Sequence, residues 1–266
     1  FTGGTITNVE QISGDGTNNT EVTLPDDSLI PLIAAGSFAG TGDSLTLPNF
    51  TGGLFNLGDL FALNDAGIET VNFTSRGNTM SVVSNTADQI TITATDASND
   101  GTGKFYSSQE KTFDRDGDLR QVVTNYDDGR TSTIAYAAAG AITQISINDN
   151  SASGTAYNYS NVTVDYVNGV RSKSTVTLDN TAMSVTDYAA DGVTRTQETI
   201  TDGAGDAYNW NDKPTTYHAN GAVASRTTNF DAGENLTSHT FSYDNTGTLT
   251  EQVFNFANGN TRTNTF

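Results

Sequence analysis

The most pointed chemistry in this chain belongs to its carboxylates. In FDRDGDL, Asp114, Asp116 and Asp118 alternate around Gly117, and closely spaced carboxylates on a turn are the hard oxygen donors that Ca²⁺ takes. A complete Ca²⁺ loop needs about six oxygens, and an EF-type loop closes on a Glu about eleven residues after its first Asp; position 125 is Asn. A second pair, Asp202 and Asp206 in TDGAGD, could clasp a cation through a flexible loop. Ca²⁺ is the candidate cofactor, although no motif requires it. The plainer reading takes precedence: aspartates beside glycine accept local backbone N–H bonds and form turns, and Asp127 and Asp128 in YDDG follow it more strongly still.

Aromatic side chains suggest a different chemistry. Tyr208 with Trp210, Phe241 with Tyr243 and Phe254 with Phe256 stand two residues apart, as do Tyr157 and Tyr159. In a strand each pair shares one face. They either form the apolar face of a sheet or make a platform for sugar rings. For the second use the candidates are Tyr208, Trp210 and Tyr217, with Asn209, Asn211 and Asp212 beside the indole. His218, expected to be exposed beside a turn, and His239 are the two histidines. Neither lies in H-E-x-x-H, and no G-x-S-x-G elbow or phosphate-binding G-x-x-x-x-G-K-[ST] loop occurs. The expectation is a protein that is not an enzyme. Paired carboxylates leave a polysaccharide-active enzyme as the third alternative.

Hairpins must position all of these residues. An aromatic residue, a few small or acidic ones and a glycine recur nine times, at Phe113–Gly117, Tyr126–Gly129, Tyr136–Gly140, Tyr166–Gly169, Tyr188–Gly192, Tyr217–Gly221, Phe230–Gly233, Tyr243–Gly247 and Phe256–Gly259. The clearest glycine spacings run from 11 to 14 residues, which fits one strand of about eight residues plus a tight turn. Asp-Gly and Asn-Gly supply the positive φ that such turns require, and the Thr, Val, Ile and Tyr between them suit a pleated sheet. A long antiparallel meander follows, with Thr, Ser, Gln, Arg or Asn on one face and a modest apolar set on the other.

Residues 1–103 read differently, as short β segments around SLIPLIAAG and LFNLGDLFALNDAG, the two stretches with helical apolar spacing. The polar DASNDGTG at 96–103 is the expected boundary. The expected fold is thus all-β: a smaller N-terminal β-rich region over 1–103, solenoid- or sandwich-like with one or two helical turns, and an antiparallel sheet of hairpin repeats over 104–266.

Composition narrows the function classes. In 266 residues, 12 Lys and Arg stand against 31 Asp and Glu, for a net charge of −19. Such a field repels nucleic acid and anionic membrane surfaces and attracts cations. Cysteine is absent, which removes disulfides, thiolate metal sites and a cysteine nucleophile together. Abundant Thr, Asn, Asp, Gly and Ser with little Lys is a mixture typical of bacterial surface and exported proteins. No apolar run reaches the roughly 18–20 residues that span a bilayer, so no membrane insertion is expected. The chain opens on Phe1, consistent with processing or with a piece of a longer polypeptide.

Two resemblances point the same way. FTGGTITNVEQISGDGTNNTEVTL resembles segments that accompany the calcium-binding β-rolls of repeats-in-toxin proteins, although the G-G-x-G-x-D-x-U-x nonapeptide is absent; the likeness implies export and Ca²⁺-dependent folding. FDRDGDL, YDDGR, YHANGAV and YDNTGTL resemble the tyrosine-aspartate (YD) repeats of bacterial surface proteins, and imply successive hairpins. The reading is an extracellular or cell-surface structural protein that self-assembles as a surface layer, filament or matrix subunit with the help of cations, its partners being other copies of itself. The alternative is a carbohydrate-binding or adhesive module whose partner is an extracellular polysaccharide.

Overall fold

The computed structural model describes residues 13–14, 19–24, 30–34, 36–38, 42–47, 57–75, 78–86, 88–96, 105–150, 158–202 and 208–266. The chain divides into two compact units, 1–140 and 141–266, and it is all-β with an antiparallel meander of hairpins, as its periodicity predicts.

The first unit opens with β1 (Glu21–Thr23), α1 (Ile30–Ala34), β2 (Ser44–Leu47), α2 (Leu57–Asp65) and β3 (Thr70–Ser75). β1, β2 and β3 pair in parallel, with Glu21, Ser44 and Thr70 in register. Parallel neighbours need a crossover, and each crossover contains one of the two stretches with helical spacing, so this region repeats like a short solenoid. In β2 the alternation is strict: Leu45 and Leu47 are buried while Ser44 and Thr46 are half-buried. The helices add Ile33, Leu60, Phe61 and Leu63 to the same core, which also takes in Ile68, Val71 and Ile90. Full burial of one such side chain contributes about 1.5–3 kcal/mol.

A Schellman motif ends α2. The N–H of Ile68 donates to Leu63 O and that of Gly67 to Asn64 O, while Gly67 holds a φ of +97°. Ile68 and Leu63, which flank the motif, are both buried, the apolar contact expected of it. From β3 the chain turns antiparallel through β4 (Asn78–Thr86), β5 (Gln89–Thr95), β6 (Tyr106–Asp114), β7 (Leu119–Tyr126) and β8 (Arg130–Tyr136). The 96–103 stretch joins the paired strands β5 and β6, and all of it but Asp96 lies outside the described residues.

The second unit is a run of ten strands: β9 (Ile142–Asp149), β10 (Tyr159–Val167), β11 (Val170–Leu178), β12 (Met183–Tyr188), β13 (Arg195–Thr201), β14 (Trp210–Tyr217), β15 (Val223–Phe230), β16 (Leu236–Tyr243), β17 (Leu249–Phe256) and β18 (Thr261–Thr265). Each pairs antiparallel with the next. Among its described residues the buried apolar side chains are Ala182 and Trp210. This unit therefore depends on its hydrogen-bonded ladder and on cross-strand side-chain pairs, each worth about 0.2–1 kcal/mol. Among the described residues of the chain no helix is long and apolar enough to cross a membrane.

Candidate functional site

The nine repeat glycines all lie at positive φ, from +69° to +103°, and the acids beside them hold turns. Asp114 Oδ1 accepts the Asp118 N–H at 2.9 Å, and its Oδ2 accepts Arg120 Nε at 2.7 Å. Desolvation works to raise the Asp114 pKa, but the Asp118 N–H and the Arg120 guanidinium together hold it below the ordinary aspartate value. Asp191 accepts from Thr194 Oγ1 at 2.6 Å and from the Val193 and Thr194 N–H groups. Asp244 binds Thr246 Oγ1 at 2.7 Å and the Thr246 and Thr248 N–H groups. Both carboxyls titrate below the usual value, led in each case by the threonine hydroxyl.

Of the expected metal ligands, Asp114 is thus engaged with its own turn and Asp116 is exposed at the tip. Asp118 lends its backbone N–H and C=O to Asp114. Asp202 Oδ2 accepts the Tyr208 N–H at 3.2 Å, and Asp206 lies outside the described residues. Among the described residues no group of three or more acidic or histidine side chains converges as a metal site.

Residues paired across strands share a face of the sheet, so register sorts the second unit into two surfaces. One is a hydroxyl and amide face. Its middle row runs through Ser146, Thr163, Thr175, Val185, Thr199, Pro214, and then Thr227, Thr240, Val253 and Thr263. Side chains lace it across strands: Thr227 to Thr240 at 2.9 Å, Thr216 to Ser225 at 2.7 Å, and Asn229 Nδ2 to Asp212 Oδ1 at 2.6 Å.

One arrangement on such a face recurs in both units. Asn255 donates Nδ2 to Ser238 Oγ and accepts Thr261 Oγ1, just as Asn125 donates to Ser108 and accepts from Thr131. Reading the sequence for turns missed it, yet the signal is present: NYDDGRT at 125–131 and NFANGNT at 255–261 share N, aromatic, x, x, G, x, T.

The opposite face is aromatic and basic. Val162, Val176, Ile200, Phe230, Phe241 and Phe254 lie on it by register, with Tyr188, Tyr217 and Tyr243 towards one set of turns. Of the six basic residues in this unit, Arg171, Arg195, Lys213, Arg226 and Arg262 are on this face and Lys173 is on the other. Among residues paired in register, the hydroxyl face holds Asp165, Asp187, Asp212 and Glu251, and the aromatic face holds one acid, Glu198. Glu198 Oε2 accepts Tyr217 Oη at 2.9 Å and lies 3.6 Å from Arg195. Burial, then the Glu198 bond, pushes the Tyr217 phenol pKa up, so this hydroxyl stays a donor.

The three candidate sugar-contacting aromatics are therefore not one platform. Trp210 is buried at 9% exposure; Tyr208, 54% exposed, stacks on it at 5.2 Å, and Lys213 Nζ sits 3.9 Å from its ring centroid. Tyr217, at the far end of β14, is half-buried and held by Glu198. His218 differs from the expected exposed side chain, because its Nε2 lies 2.9 Å from Tyr243 O in a part-buried contact. His239 packs between Phe241 and Phe254, with centroids 4.0 and 4.1 Å away. Its Nε2 is buried with no hydrogen-bond partner among the described residues, and desolvation lowers its pKa.

No protein-family model matches the chain, and no curated protein matches it in sequence.

Proposed function

We propose that this is a non-catalytic, extracellular structural protein that assembles with copies of itself through the sheet of its second unit. The observation that supports this reading most directly is the charge separation across that sheet. One partly open face bears five cations among aromatic side chains, and the other bears four carboxylates among hydroxyls. The aromatic face of one copy is complementary to the hydroxyl face of the next. Sheets packed face to face lie about 10 Å apart, close enough for these charges to interact at physiological salt, where the Debye length is about 8 Å. The contact is heterologous, so it propagates instead of closing into a dimer.

Two electrostatic effects then compete. The net charge of −19 repels whole copies at long range, and Ca²⁺ or moderate salt relieves that repulsion. Concentrated salt screens the face contact itself, since the Debye length falls to about 3 Å at 1 M. Assembly should pass through a maximum between low salt and 1 M salt, measured by light scattering and sedimentation velocity, with a filament or lattice in electron micrographs at the maximum. A protein that stays monomeric across that range, at millimolar Ca²⁺ and high concentration, would sink the proposal.

A further inference from the structure

A cleft of about 250 Å³ lies at the end of the sheet between the β10–β11 hairpin and the end of β12, lined in part by Val167, Val170, Arg171, Tyr188 and Ala190. Two turns build it. Asn168 at φ +53° and Gly169 at +76° make a two-residue hairpin with the positive φ of a type I′ turn at both central positions. The turn after β12 is fixed by Asp191, and it presents Gly192 O to Arg171 Nε at 3.0 Å. The Arg171 guanidinium lies 3.8 Å from the Tyr188 ring centroid, a cation–π contact that holds its plane.

Arg171, like Arg226 and Arg262, is not among the described arginines that the chain neutralises, and of these three it is the one that lines the cleft. Arg115 pairs with Asp65, Arg120 with Asp114, Arg130 with Asp128 and Arg195 with Glu198. Among the described residues no carboxylate lies within ion-pair distance of Arg171. With Nε committed to Gly192 O, the edge formed by Nη1 and Nη2 keeps its donors for a two-point contact, the geometry that matches a carboxylate. The walls are apolar and open, with Val167 at 61% and Val170 at 38% exposure. The volume equals about eight waters, room for one ring-sized group.

We propose that this cleft binds the carboxylate of a uronic-acid residue in a polysaccharide, on the face where basic residues outnumber acids despite the net charge of −19. Arg171 takes the carboxylate, the valine and alanine walls take the C–H faces of the ring, and Asn168, also at the lining, takes a ring hydroxyl. This site is separate from Trp210 and does not depend on self-assembly, so it is tested at protein concentrations where scattering reports monomer.

The experiment titrates the ¹⁵N-labelled protein with trigalacturonate, with a neutral galactose trimer and with acetate, following the Gly192 and Ala189 amides. Saturable shifts with trigalacturonate are expected, with much weaker response to the neutral trimer and to acetate. Arg171→Gln should weaken binding at least tenfold, Arg171→Lys less, because an ammonium keeps the charge but loses the fork. Arg226→Gln, on the same face but outside the cleft, should leave affinity unchanged. Unchanged far-UV dichroism checks that each variant is folded. The proposal is overturned by an absence of saturation up to about 10 mM, by equal binding of the neutral trimer, by acetate binding as tightly as the uronate, or by Arg226→Gln matching Arg171→Gln.

Discussion

Gly192 offers a test of how this sheet is packed at the cleft. Gly192 and Gly221 occupy corresponding turn positions at φ +69° and +84°. An L-residue in that region costs about 1–2 kcal/mol, and replacing either glycine by alanine gains the same unfolded-state entropy, about 0.4–1 kcal/mol. Those effects cancel in a comparison of Gly192→Ala with Gly221→Ala. The surroundings do not cancel. A Cβ at Gly221 meets nothing within 4 Å, whereas one at Gly192 comes to 2.7 Å from Val170 Cγ1 and 3.2 Å from Arg171 N. Overpacking of that kind costs about 1–3 kcal/mol. With a urea dependence of about 2 kcal/mol/M, the Gly192→Ala midpoint should fall about 0.5–1.5 M below that of Gly221→Ala. The single tryptophan, Trp210, is buried in this unit, so its fluorescence follows the transition. Midpoints within about 0.2 M of each other, given the same slope, would refute the packing described at the β11–β12 end and weaken the case for a preformed Arg171.

The first unit should respond differently, because it has a core. Leu45 is fully buried, so Leu45→Ala should cost about 2–5 kcal/mol, seen as lost hydrogen-exchange protection of the β2 and β3 amides; unchanged protection would contradict the core assignment. Acid should destabilise the sheet of the second unit in two separate windows. His239 has a folded pKa below its unfolded one, so the unfolded state binds more protons and stability falls as pH drops below about 6.5. Asp191 and Asp244 also have depressed folded values, so their contribution is present above about pH 4 and is lost below it as the folded carboxyls protonate. His239→Phe should flatten the upper limb alone and Asp244→Asn reduce the lower one, in urea midpoints measured from pH 8 to pH 3; a limb unmoved by its own substitution would refute that assignment.

Much of the meander was legible because its causes are local. Glycine at positive φ, aspartate or asparagine accepting the N–H two to four residues on, and β-branched residues between them act within a single hairpin. NYDDGRT and NFANGNT carry the Asn–Thr half of the asparagine arrangement, which spans one turn, whereas the serine that completes it stands 17 residues upstream on a third strand. The two helical stretches were legible too, from apolar spacing, though that spacing does not say that the strands around them would pair in parallel.

What each side chain faces was not legible, because it depends on register. Side chains alternate along a strand, so one extra residue moves everything beyond it to the other face. β10–β11, β12–β13, β14–β15 and β16–β17 all contain register shifts, and counting along the sequence does not locate them. These shifts set Arg171 and Arg195 on the aromatic side, opposite Asp165 and Asp187. Trp210 illustrates the same limit: the sequence established an aromatic doublet, and only the folded sheet placed Tyr208 and Lys213 over the indole. Sequence by itself thus determined the turns, the strands and their order, which arise from neighbouring residues. Tertiary structure decided which charges share a surface and which arginines are left without a carboxylate, because those depend on strands brought together across the sheet.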